Sequence, residues 1–203
     1  MAQGCKALMT AIASSNTKFS EKLLQFSTKP DSILRLFKKL ISSVLYQIWN
    51  DMILTQILQP DCIKVPVENT GKEAVITELV DLLDASGLLL DRDTALEAVI
   101  TRERIQSTGT GAGIAIPHGK CNAVKELVMA IGIAHEPIDF NSIDGKPVTI
   151  LILLVSPADQ TGPHIQALAT ISRLMLNDQF RQQLEKVTCS DEVYELLNNQ
   201  QNQ

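Results

Sequence analysis

At 203 residues, with 45% hydrophobic and 20% charged side chains, the chain holds enough apolar material for one substantial α/β core of ordinary globular composition. Its charge is divided: residues 1–51 carry a net +4 and residues 52–203 a net −9, giving the −5 of the whole. The acidic body speaks against a nucleic-acid groove, and Cys5, Cys62, Cys121 and Cys189 stand too far apart for a zinc knuckle or disulfide framework, which points to a reducing, cytoplasmic setting.

The first thirty residues lack the compact apolar segment of a secretory leader. Lys29-Pro30-Asp31-Ser32 forms a helix entry. Ile33, Phe37, Leu40, Ile41, Val44, Leu45 and Ile48 then fall on one helical face, with Lys38 and Lys39 opposite. This basic amphipathic helix reads as an accessory element able to meet a partner or membrane surface, or as sequence ahead of a start at Met52. Residues 1–51 are therefore set apart as an extension, and residues 52–203 as the functional domain.

From Met52 the pattern alternates. Cys62–Val67 reads as a strand. Thr70 and Glu73 have capping-box spacing for a helix that turns Val75, Ile76, Leu79, Val80 and Leu83 inward and closes at Gly87. Asp91 caps a second helix carrying Leu96, Val99 and Ile100. The glycine-rich run from Ser107 to Gly113 is followed by no helix start and lacks the GxxxxGK[ST] spacing, so it reads as a tight turn in preference to a phosphate cradle. Strands follow at Ile114–Ile116, near Leu127–Ala134 and at Val148–Val155. The longest aliphatic run, Ile150–Val155, is far too short to cross a bilayer, so no stable membrane insertion is expected. Gly162-Pro163 opens a helix with Ile165, Leu168, Ala169, Ser172 and Met175 on one face. A short helix at Asp178–Leu184 and one capped by Ser190 precede a frayed Asn/Gln tail after Leu197. The expected fold is α/β: a mixed β-sheet sandwiched between helices on both faces, a single domain with an extra N-terminal amphipathic helical segment.

Candidate chemistry centres on Ile114-Ala115-Ile116-Pro117-His118-Gly119-Lys120. Pro117 fixes its own φ and biases Ile116 towards extended backbone, holding the strand direction up to His118, while Gly119 is expected to let the chain turn away at once. An imidazole presented in this way suits a proton shuttle, a metal ligand or a phosphoryl-accepting nucleophile. The chain's three histidines, His118, His135 and His164, form no HxH or HxxxH pair, so no metal site is expected. Cys121 has no partner in sequence to orient a Cys–His nucleophile. His135, beside Glu136 and Pro137, reads as a solvated strand end. His164 falls in a first helical turn if Pro163 takes the first position. There the free N–H groups and the dipole favour an anion and a neutral imidazole, although alone it reads as a capping or packing residue. Arg102 suits a charge-assisted bond to the same anion, or a solvent-exposed pairing with Glu103.

Taken together, Arg102-Glu103, Ser107-Thr108-Gly109, the Gly113–Gly119 block, Ile138-Asp139-Phe140, Ile143-Asp144-Gly145-Lys146-Pro147-Val148 and Pro157-Ala158-Asp159-Gln160 with His164 resemble the mannitol/fructose-type IIA domain of the bacterial phosphoenolpyruvate:sugar phosphotransferase system. The resemblance covers about Met52 to Leu197. The Ser-Thr-Gly-x-Gly lead, Lys120 and the lack of fused IIB or IIC sequence sit closest to the nitrogen-regulatory branch; a sugar-specific IIA feeding a separate fructose- or mannitol-type permease is the alternative. The resemblance implies that His118 accepts a phosphoryl group from the histidine-containing phosphocarrier protein and forms a phosphohistidine. It further implies that His164 and Arg102 bind the phosphoryl oxygens, that no metal or cofactor takes part, and that a IIB domain or regulatory target protein is the onward partner.

Overall fold

The computed structural model describes residues 52–201, so the amphipathic helix expected within 1–51 lies outside the described residues. After a 3₁₀ turn at Leu54–Gln56 come β1 (Leu58–Lys64), α1 (Lys72–Ala85), α2 (Arg92–Ile105), β2 (Gly109–Gly111), β3 (Ile114–Ala115) and β4 (His118–Lys120). They are followed by β5 (Val128–Ile138), β6 (Val148–Ser156), α3 (Thr161–Met175), α4 (Asp178–Leu184) and α5 (Ser190–Gln201). The strands form one six-stranded mixed sheet in the order β1-β5-β6-β3-β2, with β4 also on β6. β5 and β6 are antiparallel neighbours, β1 joins β5 in parallel, and β3 and β4 join β6 in parallel.

The centre of the sheet follows from composition. Met129, Ala130, Ile131, Ile133 and the whole run Ile150–Val155 are buried, which is why these strands read as continuous apolar stretches and not as alternating ones. Helix α1 lies on β1 and β5 and against α2, while α2 lies on β4; α5 packs on β1 and α4, and α4 on α3. Helices on both faces of a mixed sheet make the expected α/β architecture.

Local chemistry explains several boundaries. The Asp91 carboxylate accepts from Thr94 N at 3.1 Å and starts α2. Gly87, at φ +70°, closes α1 with paired bonds from Gly87 N to Asp84 O (2.8 Å) and Leu88 N to Leu83 O (3.1 Å), a Schellman motif.

Other boundaries differ from the sequence reading. The Thr70–Glu73 capping box does not form: α1 is capped at Gly71 without a side-chain bond, and the Glu73 carboxylate is instead engaged by Arg104 of α2 at 3.1 Å. The first strand begins at Leu58, earlier than Cys62, and ends at Lys64. In α3, Gln160 is the N-cap and Pro163 the third residue, not the first. The buried face of α3 is His164, Ala167, Thr170, Ile171 and Met175, rotated from the expected one, and Ile165 and Ser172 are exposed. The expected frayed tail is instead helical to Gln201, whose Oε1 accepts from Leu54 N at 2.8 Å and whose Nε2 donates to Met52 O at 3.3 Å.

Candidate functional site

Strands β3 and β4 are two halves of one line. Ile114 pairs with Ile150 and Ala115 with Leu151 before Pro117, and His118 pairs with Leu154 and Lys120 with Ser156 after it, so the register along β6 is the same on both sides. Pro117 removes only a donor; its carbonyl still accepts from Leu154 N at 3.0 Å. His118 is thus carried on a paired strand. Its Nδ1 lies 2.8 Å from the Ile116 carbonyl oxygen. A carbonyl can only accept, so Nδ1 holds the ring proton and Nε2 is left with a bare lone pair.

Gly119 does not turn the chain, contrary to the sequence reading. It continues β4, and its φ is not positive. What requires glycine there is helix α2: an added Cβ would stand 2.9 Å from Val99 N and 3.1 Å from the Ala98 carbonyl carbon. The missing side chain lets the α2 backbone settle directly on the histidine-bearing strand.

So seated, α2 forms a cleft of about 670 Å³ with β4 and α3, lined by Thr101, Arg102, His118, Lys120, Cys121 and His164 among others. The His118 and His164 ring centroids are 5.5 Å apart, with their planes tilted by 58°. His164 is 3% exposed, and its Nδ1 meets the hydroxyl of fully buried Ser156, at the end of β6, at 2.8 Å. Lys120 Nζ donates to Thr161 Oγ1 at 2.8 Å, linking β4 to the first turn of α3.

The structure brings His118, His164 and Arg102 to this one cleft. Arg102 Nη1 donates to Gln106 O at 2.9 Å. The alternative pairing of Arg102 with Glu103 is not what Glu103 does. The Glu103 carboxylate is 5% exposed, pairs with Lys72 Nζ at 2.7 Å, and accepts from Thr108 N at 3.0 Å and from the Thr108 hydroxyl. The Thr108 carbonyl in turn accepts from Ile116 N at 3.1 Å. A buried carboxylate, paired with a partly exposed lysine, therefore anchors through Thr108 the residue whose carbonyl aims the His118 ring.

The glycine run forms the β2–β3 hairpin turn, with positive φ at Gly111, Ala112 and Gly113, and it lies outside the cleft lining. His135 is exposed on β5. Among the described residues no group of three or more His, Cys, Asp or Glu is placed to hold a metal ion. No described helix is long and apolar enough to cross a membrane.

Burial pushes the His118 imidazole below its ordinary value; the Ile116 carbonyl pulls the other way, and Arg102 adds to the depression. His164 falls to about 4, first through burial and then through the charges of His118 and Lys120. Both rings are neutral near pH 7, so the cleft holds a nucleophilic nitrogen, a second neutral ring and a guanidinium. Ser156, Lys72 and the inward role of Glu103 were not read from the sequence. The one available signal was a serine closing an uninterrupted apolar run, a position that buries its hydroxyl and demands a partner.

A profile of the family described as phosphoenolpyruvate-dependent sugar phosphotransferase system, EIIA 2, matches residues 56–200. The fructose-specific EIIABC component of Bacillus subtilis (strain 168) is 35% identical over 147 residues, which is 72% of this chain and 23% of that protein. The nitrogen regulatory protein of Klebsiella oxytoca is 33% identical over 147 residues, 71% of this chain and 89% of the relative. Among solved structures, nitrogen regulatory protein IIA-Ntr from Neisseria meningitidis matches with a TM-score of 0.66 at 31% identity, covering 72% of this chain and 99% of that one. This chain thus spans under a quarter of the Bacillus relative and most of the nitrogen regulatory ones. With the profile covering most of its length and a full-length relative above 30% identity, the chain belongs to the EIIA 2 family of the phosphoenolpyruvate-dependent sugar phosphotransferase system.

Proposed function

We propose that this protein is a cytoplasmic phosphocarrier that takes a phosphoryl group onto Nε2 of His118 from the phosphohistidine of the histidine-containing phosphocarrier protein. The observation that carries the reading is the bare Nε2 lone pair of His118, fixed by the 2.8 Å bond from Nδ1 to Ile116 O, in the cleft shared with His164 and Arg102. In the step, the Nε2 lone pair forms the new P–N bond while the donor ring takes back the electron pair of the old one. The His118 ring gains positive charge and keeps its Nδ1 proton, which the Ile116 carbonyl stabilises. His164 and Arg102 hold the phosphoryl oxygens. Such transfer depends mainly on in-line positioning and on stabilising charge spread over those oxygens, and both imidazoles are similar leaving groups, so the chain's own residues suffice.

The test is incubation of the full chain with phosphoenolpyruvate and the two general transfer proteins of the system. An acid-labile, alkali-stable adduct is expected in the native protein and absent in His118→Ala. No adduct in the native protein, or one located elsewhere, overturns the reading.

Two onward routes follow. Likeness to nitrogen regulatory proteins over nearly their whole length favours a phosphorylation-dependent regulator, whose added negative charge alters docking to a target protein. The slightly higher identity to the IIA portion of a fructose-specific component supports the second route, transfer to a separate IIB domain. Phosphoryl transfer from the loaded protein to a IIB domain, set against pull-downs with His118→Ala and His118→Asp, separates the two.

A further inference from the structure

The two cleft histidines differ in what holds their Nδ1 atoms. His118 Nδ1 faces a carbonyl, which can only accept. His164 Nδ1 faces the Ser156 hydroxyl at 2.8 Å, which can do either. Burial settles the choice. Ser156 is 0% exposed, and among the described residues its hydroxyl has His164 Nδ1 as its hydrogen-bond partner. If His164 Nδ1 carried the proton, the serine hydrogen would be buried with no acceptor, a cost that native structures avoid. With the serine donating, both atoms are satisfied and the His164 proton is driven to Nε2.

We infer that Ser156 is a positioning residue that fixes His164 in the Nε2–H form, so that the second ring presents a donor where the first presents a lone pair. This rests on the phosphocarrier reading for its purpose, and on the 2.8 Å contact and the burial of both side chains for its existence. Placement supports it. Ser156 ends β6 directly opposite Lys120, two residues along β4 from His118, and its carbonyl accepts from Cys121 N at 3.0 Å. The hydroxyl is therefore held by the same ladder that holds the nucleophile. His164 begins the buried stripe of α3, and its backbone N–H is bonded to Gln160 O at 3.3 Å. Ring and hydroxyl thus come from two elements that each fix their geometry. The matched pair needs no proton transfer: the phosphoryl group arrives on the Nε2 lone pair of His118, and the standing N–H of His164 donates to one of its oxygens.

The test is imidazole ¹⁵N NMR of the full chain near neutral pH, in the native protein and in Ser156→Ala, with phosphoryl uptake followed in parallel. The native protein is expected to show His118 as the Nδ1–H tautomer and His164 as the Nε2–H tautomer. In Ser156→Ala the His164 signals are expected to shift to a mixture of tautomers while those of His118 stay in place. The maximal uptake rate is expected to fall about tenfold, with the concentration of donor protein at half-maximal rate little changed, as for loss of a single oriented donor in the transition state. A native His164 found mainly as Nδ1–H, an unaltered tautomer in Ser156→Ala, or an unaltered uptake rate overturns the inference. Failure of the native protein to take up phosphoryl at all defeats the phosphocarrier reading instead, and leaves the tautomer result to stand or fall by itself.

Discussion

Because Nδ1 of His118 is committed to the Ile116 carbonyl and burial favours the neutral ring, the acceptor activity proposed for it is expected not to need a pH much above the imidazole range. Uptake is expected to keep its rate as pH is lowered through 6.5, where a free imidazole is already half protonated, and pH–rate profiles of labelled phosphate incorporation check this. His164 has a consequence for stability. Unfolded, it titrates near 6.5; folded, at about 4, so as pH falls the unfolded chain takes up the proton first. Its contribution is complete above about 6.5, is lost progressively towards about 4, and levels off below that. The loss is expected to be about 3 kcal/mol, and denaturant midpoints measured across that range should show a slope that His164→Gln reduces, the depressed His118 supplying part of what remains. Arg102 should behave in the opposite way. Its bond to Gln106 O lies on the surface, so Arg102→Gln should leave thermal stability nearly unchanged while slowing uptake about a hundredfold.

At the scale of elements, the cleft exists because α2 lies almost against β4. Gly119→Ala places a methyl 2.9 Å from Val99 N, and a backbone neighbour cannot swing aside as a side chain can. The expected cost is about 2 kcal/mol, with a further loss of uptake as α2 carries Arg102 away from His118; urea midpoints and uptake rates on one preparation separate the two effects. Glu103→Ala removes the buried carboxylate that holds Lys72 and Thr108, and about 3 kcal/mol of stability is expected to go with it by equilibrium denaturation. Elements set by local chemistry were legible in the sequence: the Asp91 cap, the Gly87 closure and α4 at Asp178–Leu184 all depend on residues within one or two turns. The Thr70 box was misread because Gly71 takes the cap one residue later and Arg104 competes for Glu73. The face of α3 was misread because His164, polar by type, is the residue that turns inward, and periodicity counts it on the solvent side. His118, His164 and Arg102 stood out because they lie in recognisable blocks. Ser156 and Lys72 did not, since each meets its partner only when two separate elements pack, the end of β6 with α3 and α1 with α2, and Glu103 was missed because a carboxylate near a helix end is ordinarily read as solvated.

Across the described body, the first and last elements are tied. Gln201 at the end of α5 bonds Leu54 N and Met52 O, so the start of the sheet's edge and the final helix support each other. Ending the chain after Asn199 should cost about 1 kcal/mol by urea denaturation, the net value of an ordinary hydrogen bond with some fraying added. The unbroken register of β3 and β4 along β6 has a different consequence. One ladder carries both His118 and the Ser156 hydroxyl that meets His164, with Leu154 N bonded to Pro117 O and Cys121 N to Ser156 O. These amide hydrogens should be among the slowest to exchange with deuterated water, and charging the protein should hardly alter them. In the phosphocarrier role proposed above, an incoming donor is expected to meet a seat already cast, so that uptake follows how quickly the two surfaces find and leave each other.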